Sequence, residues 1–170
     1  ISACLVGSEM CIRDRLRKYG SRCREVGISV GLRLNPQCST QGDHTLYDPC
    51  APGSRFGVTL DKIPSDLLDL VDGLHFHTLC EQGSDDLETT LKAVEAQFGS
   101  YLHEVKWLNM GGGHHITRED YDVDLLISEI KRIRETYNLE VYIEPGEAIA
   151  LNAGYLATEV LDIVENDMEI

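Results

Sequence analysis

The sequence predicts a parallel α/β fold, and three observations carry the prediction. Short apolar or alternating segments recur along the chain, each closed by Gly, Pro or polar residues. One-faced helical stripes lie between them, and strands that alternate with helices build parallel βα units. The chemically unusual clusters follow directly on the apolar segments, at the carboxyl ends of the expected strands. An open doubly wound sheet and a (β/α)8 barrel both place their chemistry there, and both fit.

The strands are expected at 28–35 (ISVGLRLN), 73–79 (GLHFHTL), 105–110 (VKWLNM) and 140–144 (EVYIE). A short helix is expected near Pro64-Ser65-Asp66, because proline suits a first helical turn. From Asp85, the residues Leu87, Leu91, Val94 and Phe98 recur at helical spacing, with Ser84 as the expected N-cap before two aspartates. From Asp122, a second stripe runs through Val123, Leu126, Ile127, Ile130, Ile133 and Tyr137, and Thr117 with Asp120 has capping-box spacing. The pattern then changes. Residues 155–166 are rich in Leu, Val, Ile and Thr without a helical stripe, and read as a strand leaving for another domain. The expected organisation is a partial barrel over 16–150 and the start of a carboxy-terminal β-domain over 151–170.

The first fifteen residues do not fit this scheme. They have no basic start and no sustained apolar run, so they are not a signal peptide. The stretch LVGSEMCIRDR, residues 5–15, is what a transposase-type sequencing adapter encodes, and residues 1–15 are set aside as a non-native segment. Together with the absence of a stop signal at the other end, this leads to the expectation that the chain is an internal piece of a longer protein. Outside that segment four cysteines remain, Cys23, Cys38, Cys50 and Cys80, with no zinc or CxxC spacing. A reduced, cytoplasmic protein is the simplest expectation. The net charge of -14 argues against a nucleic-acid partner, and no apolar run is long enough for a membrane helix.

Each cluster poses a chemical question. GGGHH, residues 111–115, follows a strand and precedes a helix, a place where backbone N–H groups cradle an anion, most often phosphate. His114 and His115 are then either cofactor neighbours or polar residues at a loop mouth. His75 and His77 share one face of a strand. They suit a metal site with a carboxylate such as Glu81, an imidazole stacked on a flat cofactor, or a hydrogen-bonded barrel core. EPGE sets Glu144 and Glu147 around a rigid turn, suited to a ring nitrogen or a substrate amine. Arg33 sits in an otherwise apolar strand and needs an anion or an acceptor.

Taken together, GLRLNP, SRFG, GLHFHTLCE, LNMGGGHH and EPGE resemble the barrel domain of the alanine-racemase-like, fold-type-III pyridoxal-phosphate decarboxylases. The order and spacing match across almost all of 28–150. HTLCE, GGGHHITREDYD and EPGEA are most similar to the carboxynorspermidine/carboxyspermidine decarboxylases. The resemblance implies pyridoxal 5'-phosphate as cofactor, with His77 stacked on its ring and Gly111, Gly112 and Gly113 around its phosphate. It places Glu144 opposite the pyridine nitrogen and Gly146 at a second phosphate contact. His77 and Glu144 are thus the implied catalytic pair. Arg33 and Arg55 are similar to arginines near cofactor or substrate, and Cys80 stands where relatives have a phosphate-binding serine.

The resemblance also implies a carboxylated polyamine substrate, decarboxylated to norspermidine or spermidine, and a homodimer with no bound metal, membrane or nucleic acid. Glu147 departs from the family, which has an arginine there. It is expected to receive a substrate amine, so that Glu147→Gln raises KM. The family's Schiff-base lysine matches none of Lys18, Lys62, Lys92, Lys106 or Lys131, so the chain alone is expected to be inactive. The rival readings are another decarboxylase of this fold, such as the diaminopimelate enzyme, and a metal-dependent barrel hydrolase built on His75, His77 and Glu81. A non-catalytic pyridoxal-phosphate carrier is a third.

Overall fold

The computed structural model describes residues 12–42, 48–63 and 65–163. Four parallel strands form one sheet: β1 (Gly31–Arg33), β2 (Gly73–His75), β3 (Trp107–Asn109) and β4 (Glu140–Tyr142). Their order in the sheet is their order in the chain. A doubly wound sheet reverses direction at a switch point, whereas a barrel wall does not. The unreversed order therefore resolves the sequence's ambiguity in favour of a partial (β/α)8 barrel. Helix α1 (Ile12–Glu25) precedes β1, α2 (Ser84–Leu102) joins β2 to β3, and α3 (Val123–Tyr137) joins β3 to β4. Two 3-10 helices, Leu60–Lys62 and Ser65–Leu70, lie between β1 and β2, and α4 (Gly146–Ala150) follows β4. Among the described residues no helix is long and apolar enough to cross a membrane.

The period of two sorts each strand into two faces. Leu32, Leu74, Leu108 and Val141 lie in register; the three leucines belong to the apolar core with Leu34, Phe76 and Met110, and half-buried Val141 packs against it. Helix α2 supplies the opposing surface: Leu87, Leu91, Val94 and Phe98 are all fully buried, as their spacing predicts. The other face carries Gly31, Gly73, Trp107 and Glu140 in one row and Arg33, His75, Asn109 and Tyr142 in the next. This second face is the polar one, and it leads to the strand ends where the clusters sit.

Trp107 explains two of the glycines. A Cβ at Gly31 or at Gly73 would overlap the indole ring, which lies across both strands. The indole nitrogen donates to Ser29 Oγ at 2.9 Å. Three strands are thus keyed together by one large side chain over two positions without side chains.

Helices α2 and α3 are joined by charge as well as by apolar contact. Arg132 donates to both carboxylate oxygens of Glu95 at 2.8 Å and to Glu129 at 2.7 Å. Tyr137 donates to Glu95 at 3.0 Å. The Arg132 guanidinium, with help from Tyr137, holds the Glu95 carboxyl below the ordinary carboxylate range.

Several expectations are corrected. The strands are shorter than predicted because the ladder gives way to loops after three residues, although Leu34, Phe76 and Met110 still donate across to the neighbouring strand. The N-cap of α2 is Gly83, not Ser84; the Ser84 hydroxyl instead donates to Asp122 O at 2.8 Å. The N-cap of α3 is Asp122, whose side chain accepts from Leu125 N at 2.8 Å, so Thr117 and Asp120 form no capping box. Both corrections have one cause: a side chain near a helix start takes whichever donor or acceptor the neighbouring loop offers. Val123 and Ile127 are exposed, and Glu129 is buried in the stripe because Arg132 pairs with it. Of the strand expected over 155–166, residues 155–163 form none, since among the described residues none pairs with them, and 164–166 lie outside the described residues. The turn around Ser65 is a 3-10 helix, and Pro64 lies outside the described residues. Residues 1–11 of the set-aside segment also lie outside them, whereas Ile12–Arg15 open α1. That helix was not legible in the sequence. Its interior glycine, Gly20, lies close against Leu70, and Arg17 pairs with Asp66 at 3.2 Å.

Candidate active site

The polar face of the sheet rises into a cluster at the carboxyl ends of the strands. Glu144 is held from two sides: its N–H donates to Gly111 O at 2.8 Å, and its Oε1 accepts from Asn109 Nδ2 at 2.8 Å. Asn109 also accepts from Gly111 N at 2.8 Å, so one amide side chain ties the glycine loop to the carboxylate. Glu144 Oε2 lies 4.0 Å from His75 Nε2. Burial first, then the nearby Arg33 and His77, push the His75 pKa down to about 3. The imidazole is therefore neutral at neutral pH, and its contact with Glu144 is not an ion pair.

That shift has a consequence for stability. A histidine whose folded pKa lies below its ordinary 6.5 is stabilising above pH 6.5, and this contribution is lost as pH falls toward the folded value. The loss between pH 6.5 and 5 is expected to be about 2 kcal/mol. Urea unfolding across that range should show it for the wild type and a much flatter dependence for His75→Gln. Equal dependences would contradict the assignment.

The glycine loop answers the question that its sequence raises. A Cβ at Gly111 would overlap Phe76 O, one at Gly113 would overlap Leu79 O, and one at Gly112 would lie 2.9 Å from Glu144 O. Gly111 and Gly113 also have φ of 71° and 81°, which other residues rarely adopt. The glycines let this loop settle against the ends of both neighbouring strands. They also leave donors available. Gly111 N–H bonds Asn109 and His115 N–H bonds Gln82 O, but among the described residues the N–H groups of Gly112, Gly113 and His114 make no hydrogen bond. Three successive unbonded N–H groups in a glycine-rich turn suit an anion. The buried His114 ring lies against the Met110 and Gly111 backbone at the base of this loop.

The other predicted residues divide. His77 belongs to the cluster: its ring is 6.4 Å from that of His75 and nearly perpendicular to it. Arg33 is buried, and its partners include the His77 carbonyl at 3.2 Å and the face of Phe56, 5.0 Å away. Arg55 lies 5.9 Å from the same ring and is exposed. Cys80 and Glu81 are exposed beyond β2. The carboxylate brought to His75 and His77 is Glu144, not Glu81: ligand atoms of these three residues lie within 4.8 Å of one another. Gly146 commits its N–H to Glu144 O at 2.8 Å. Glu147 is held by His115 at 2.9 Å and by Thr117 at 2.8 Å. None of the five lysines joins the cluster. Lys92 and Lys131 are on helices α2 and α3, and Lys106 pairs with Asp72 at the opposite end of β3. Lys18 lies over Tyr19, and Lys62 pairs with Asp61.

No family model matches the chain. It is 43% identical over 142 residues to a carboxynorspermidine/carboxyspermidine decarboxylase of Campylobacter jejuni, covering 84% of this chain and 37% of the relative. The solved structure of carboxynorspermidine decarboxylase from the same organism, complexed with norspermidine, superposes with a TM-score of 0.72 at 38% identity, over 92% of this chain and 39% of that one. The chain belongs to the fold-type-III decarboxylase family. It spans just over a third of the length of these relatives. A carboxyaminopropylagmatine decarboxylase of Synechocystis is 39% identical over 150 residues, covering 87% of this chain and 38% of the relative. Diaminopimelate decarboxylases are more distant, at 27% for that of Deinococcus radiodurans.

Two residues of this fold-type-III barrel went unassigned in the sequence. Asn109 is a polar residue inside an apolar strand, in line with Gly111, and that alone marks it as facing the site. Gln82 carries no such mark, since a loop glutamine next to an exposed glutamate reads as solvated surface.

Proposed function

We propose that the whole protein is a pyridoxal-phosphate-dependent decarboxylase of carboxylated polyamines, converting carboxynorspermidine or carboxyspermidine to norspermidine or spermidine. One juxtaposition carries the reading. The three unbonded N–H groups of Gly112–His114 lie beside a carboxylate, Glu144, that Asn109 holds in place. The first suits a phosphate and the second a protonated ring nitrogen, and pyridoxal phosphate has both. Bound there, the cofactor supplies the electron sink for the carbon that loses CO2. The chain's own residues bind and orient it: the glycine loop takes the phosphate, His77 packs on the ring, and Glu144 keeps a proton on the ring nitrogen. Glu147, fixed by His115 and Thr117 yet still partly exposed, is placed to receive a substrate amine. In this reading Arg33 and Arg55, both beside the Phe56 ring, serve the cofactor or the substrate. A cytoplasmic homodimer is part of the same reading.

The test is a titration of the chain with pyridoxal phosphate, followed by quenching of its single tryptophan, with inorganic phosphate as competitor. Weak, saturable and phosphate-sensitive binding is expected, with no CO2 released from carboxynorspermidine by this chain alone. The rival metal reading has a specific basis in the grouping of His75, His77 and Glu144. Tight zinc binding without any response to pyridoxal phosphate would favour it.

A further inference from the structure

Gln82 uses every polar group it has. Its side-chain nitrogen donates to Thr40 O at 2.6 Å and to Thr40 Oγ1 at 2.8 Å. Its side-chain oxygen accepts from Gln41 Nε2 at 2.6 Å and from Cys80 N at 3.3 Å. Its own N–H donates to Gly113 O at 2.9 Å, and its carbonyl accepts from His115 N at 3.1 Å. One residue thereby joins the loops after β1, β2 and β3. Buried Gln41 strengthens the junction by donating to Thr78 O at 2.8 Å. The connection runs on to the loop after β4, because His115 and Thr117 both hold Glu147. A continuous polar belt therefore crosses all four strand ends, with Gln82 at its middle.

The belt acts on the glycine loop in a definite direction. In a trans peptide the C=O and the following N–H point opposite ways. Drawing the Gly113 carbonyl back onto Gln82 turns the His114 N–H away from Gln82. Bonding the His115 N–H to Gln82 O ends the run of available donors at His114. The loop's glycines provide no side-chain packing of their own to hold such an arrangement, so their orientation depends on these outside bonds.

We propose that Gln82 is a positioning residue for the anion-binding loop, holding the Gly112–His114 N–H groups on the phosphate of the cofactor. This deepens the proposed function and rests on it for the identity of the anion. The substitution is Gln82→Met, which keeps the length and removes all four side-chain hydrogen bonds. Pyridoxal phosphate and pyridoxal, which lacks the phosphate, are titrated into the wild-type and variant chains. The expected result is about a tenfold loss of affinity for pyridoxal phosphate and no change for pyridoxal, since small misplacements of binding groups are costly. Amide exchange at Cys80, Gln82 and His115, whose N–H groups are bonded at this junction, is expected to quicken in the variant, while amides of α2 and α3 keep their protection. Equal losses for both compounds, or unchanged binding and exchange, would overturn the proposal. Failure of the proposed function looks different: the wild-type chain itself then shows no preference for pyridoxal phosphate over pyridoxal.

Discussion

Gly73→Ala is expected to unfold the chain or to cost it at least about 3 kcal/mol, the upper part of the range for overpacking a core. The added methyl would overlap the Trp107 ring, and the indole has little room to yield. Gly31 lies against the same ring in the neighbouring strand, and Ser29 anchors the indole nitrogen at 2.9 Å. Moving the ring therefore loses a hydrogen bond or displaces β1. Urea unfolding followed by circular dichroism measures the effect. The double variant Gly73→Ala with Trp107→Leu should recover part of the loss, because the smaller side chain leaves space for the methyl. A fully stable Gly73→Ala chain would mean that the indole does not key the strands together.

Glu144→Gln is expected to lower turnover of the whole enzyme by about 100-fold or more, the scale on which a single well-placed electrostatic group acts. This expectation rests on the proposed function. The amide keeps the size of the side chain and can still accept from Asn109, so cofactor affinity should change little. It lacks the negative charge that holds a proton on the ring nitrogen, and the electron sink weakens with that proton. Steady-state kinetics at saturating substrate, beside a cofactor titration, separates the two effects. Loss of cofactor with normal turnover per bound site would assign Glu144 to binding instead. Asn109→Ala should act in the same direction and more weakly, because it frees the carboxylate without removing it.

Much of this site is legible in the sequence because a strand's period of two is local. Gly73, His75 and His77 share a face whatever the rest of the chain does, as do Trp107, Asn109 and Gly111. The same holds for the buried stripe of α2. The placing of the clusters after the second, third and fourth strands at carboxyl ends follows from the βα alternation, and the motifs in those clusters carry the resemblance to fold-type-III decarboxylases, which the relatives bear out.

What lay beyond the sequence concerns partners brought together across the parallel register. The carboxylate beside His75 is Glu144, two strands away, and not the nearby Glu81. One acceptor for Arg33 is the backbone carbonyl of His77, just beyond the adjacent strand. Arg132 of α3 reaches Glu95 on α2, and Ser84 gives up its cap to bond Asp122. The glycines of the loop face the ends of two other strands as well as any anion. By itself, then, the sequence determined the faces of the strands, the helical stripe of α2 and the end of the sheet that carries the chemistry, because these depend on spacing within one segment. The tertiary structure alone decided which polar groups meet, because each such hydrogen bond joins segments distant in the chain that only the packing of sheet and helices aligns.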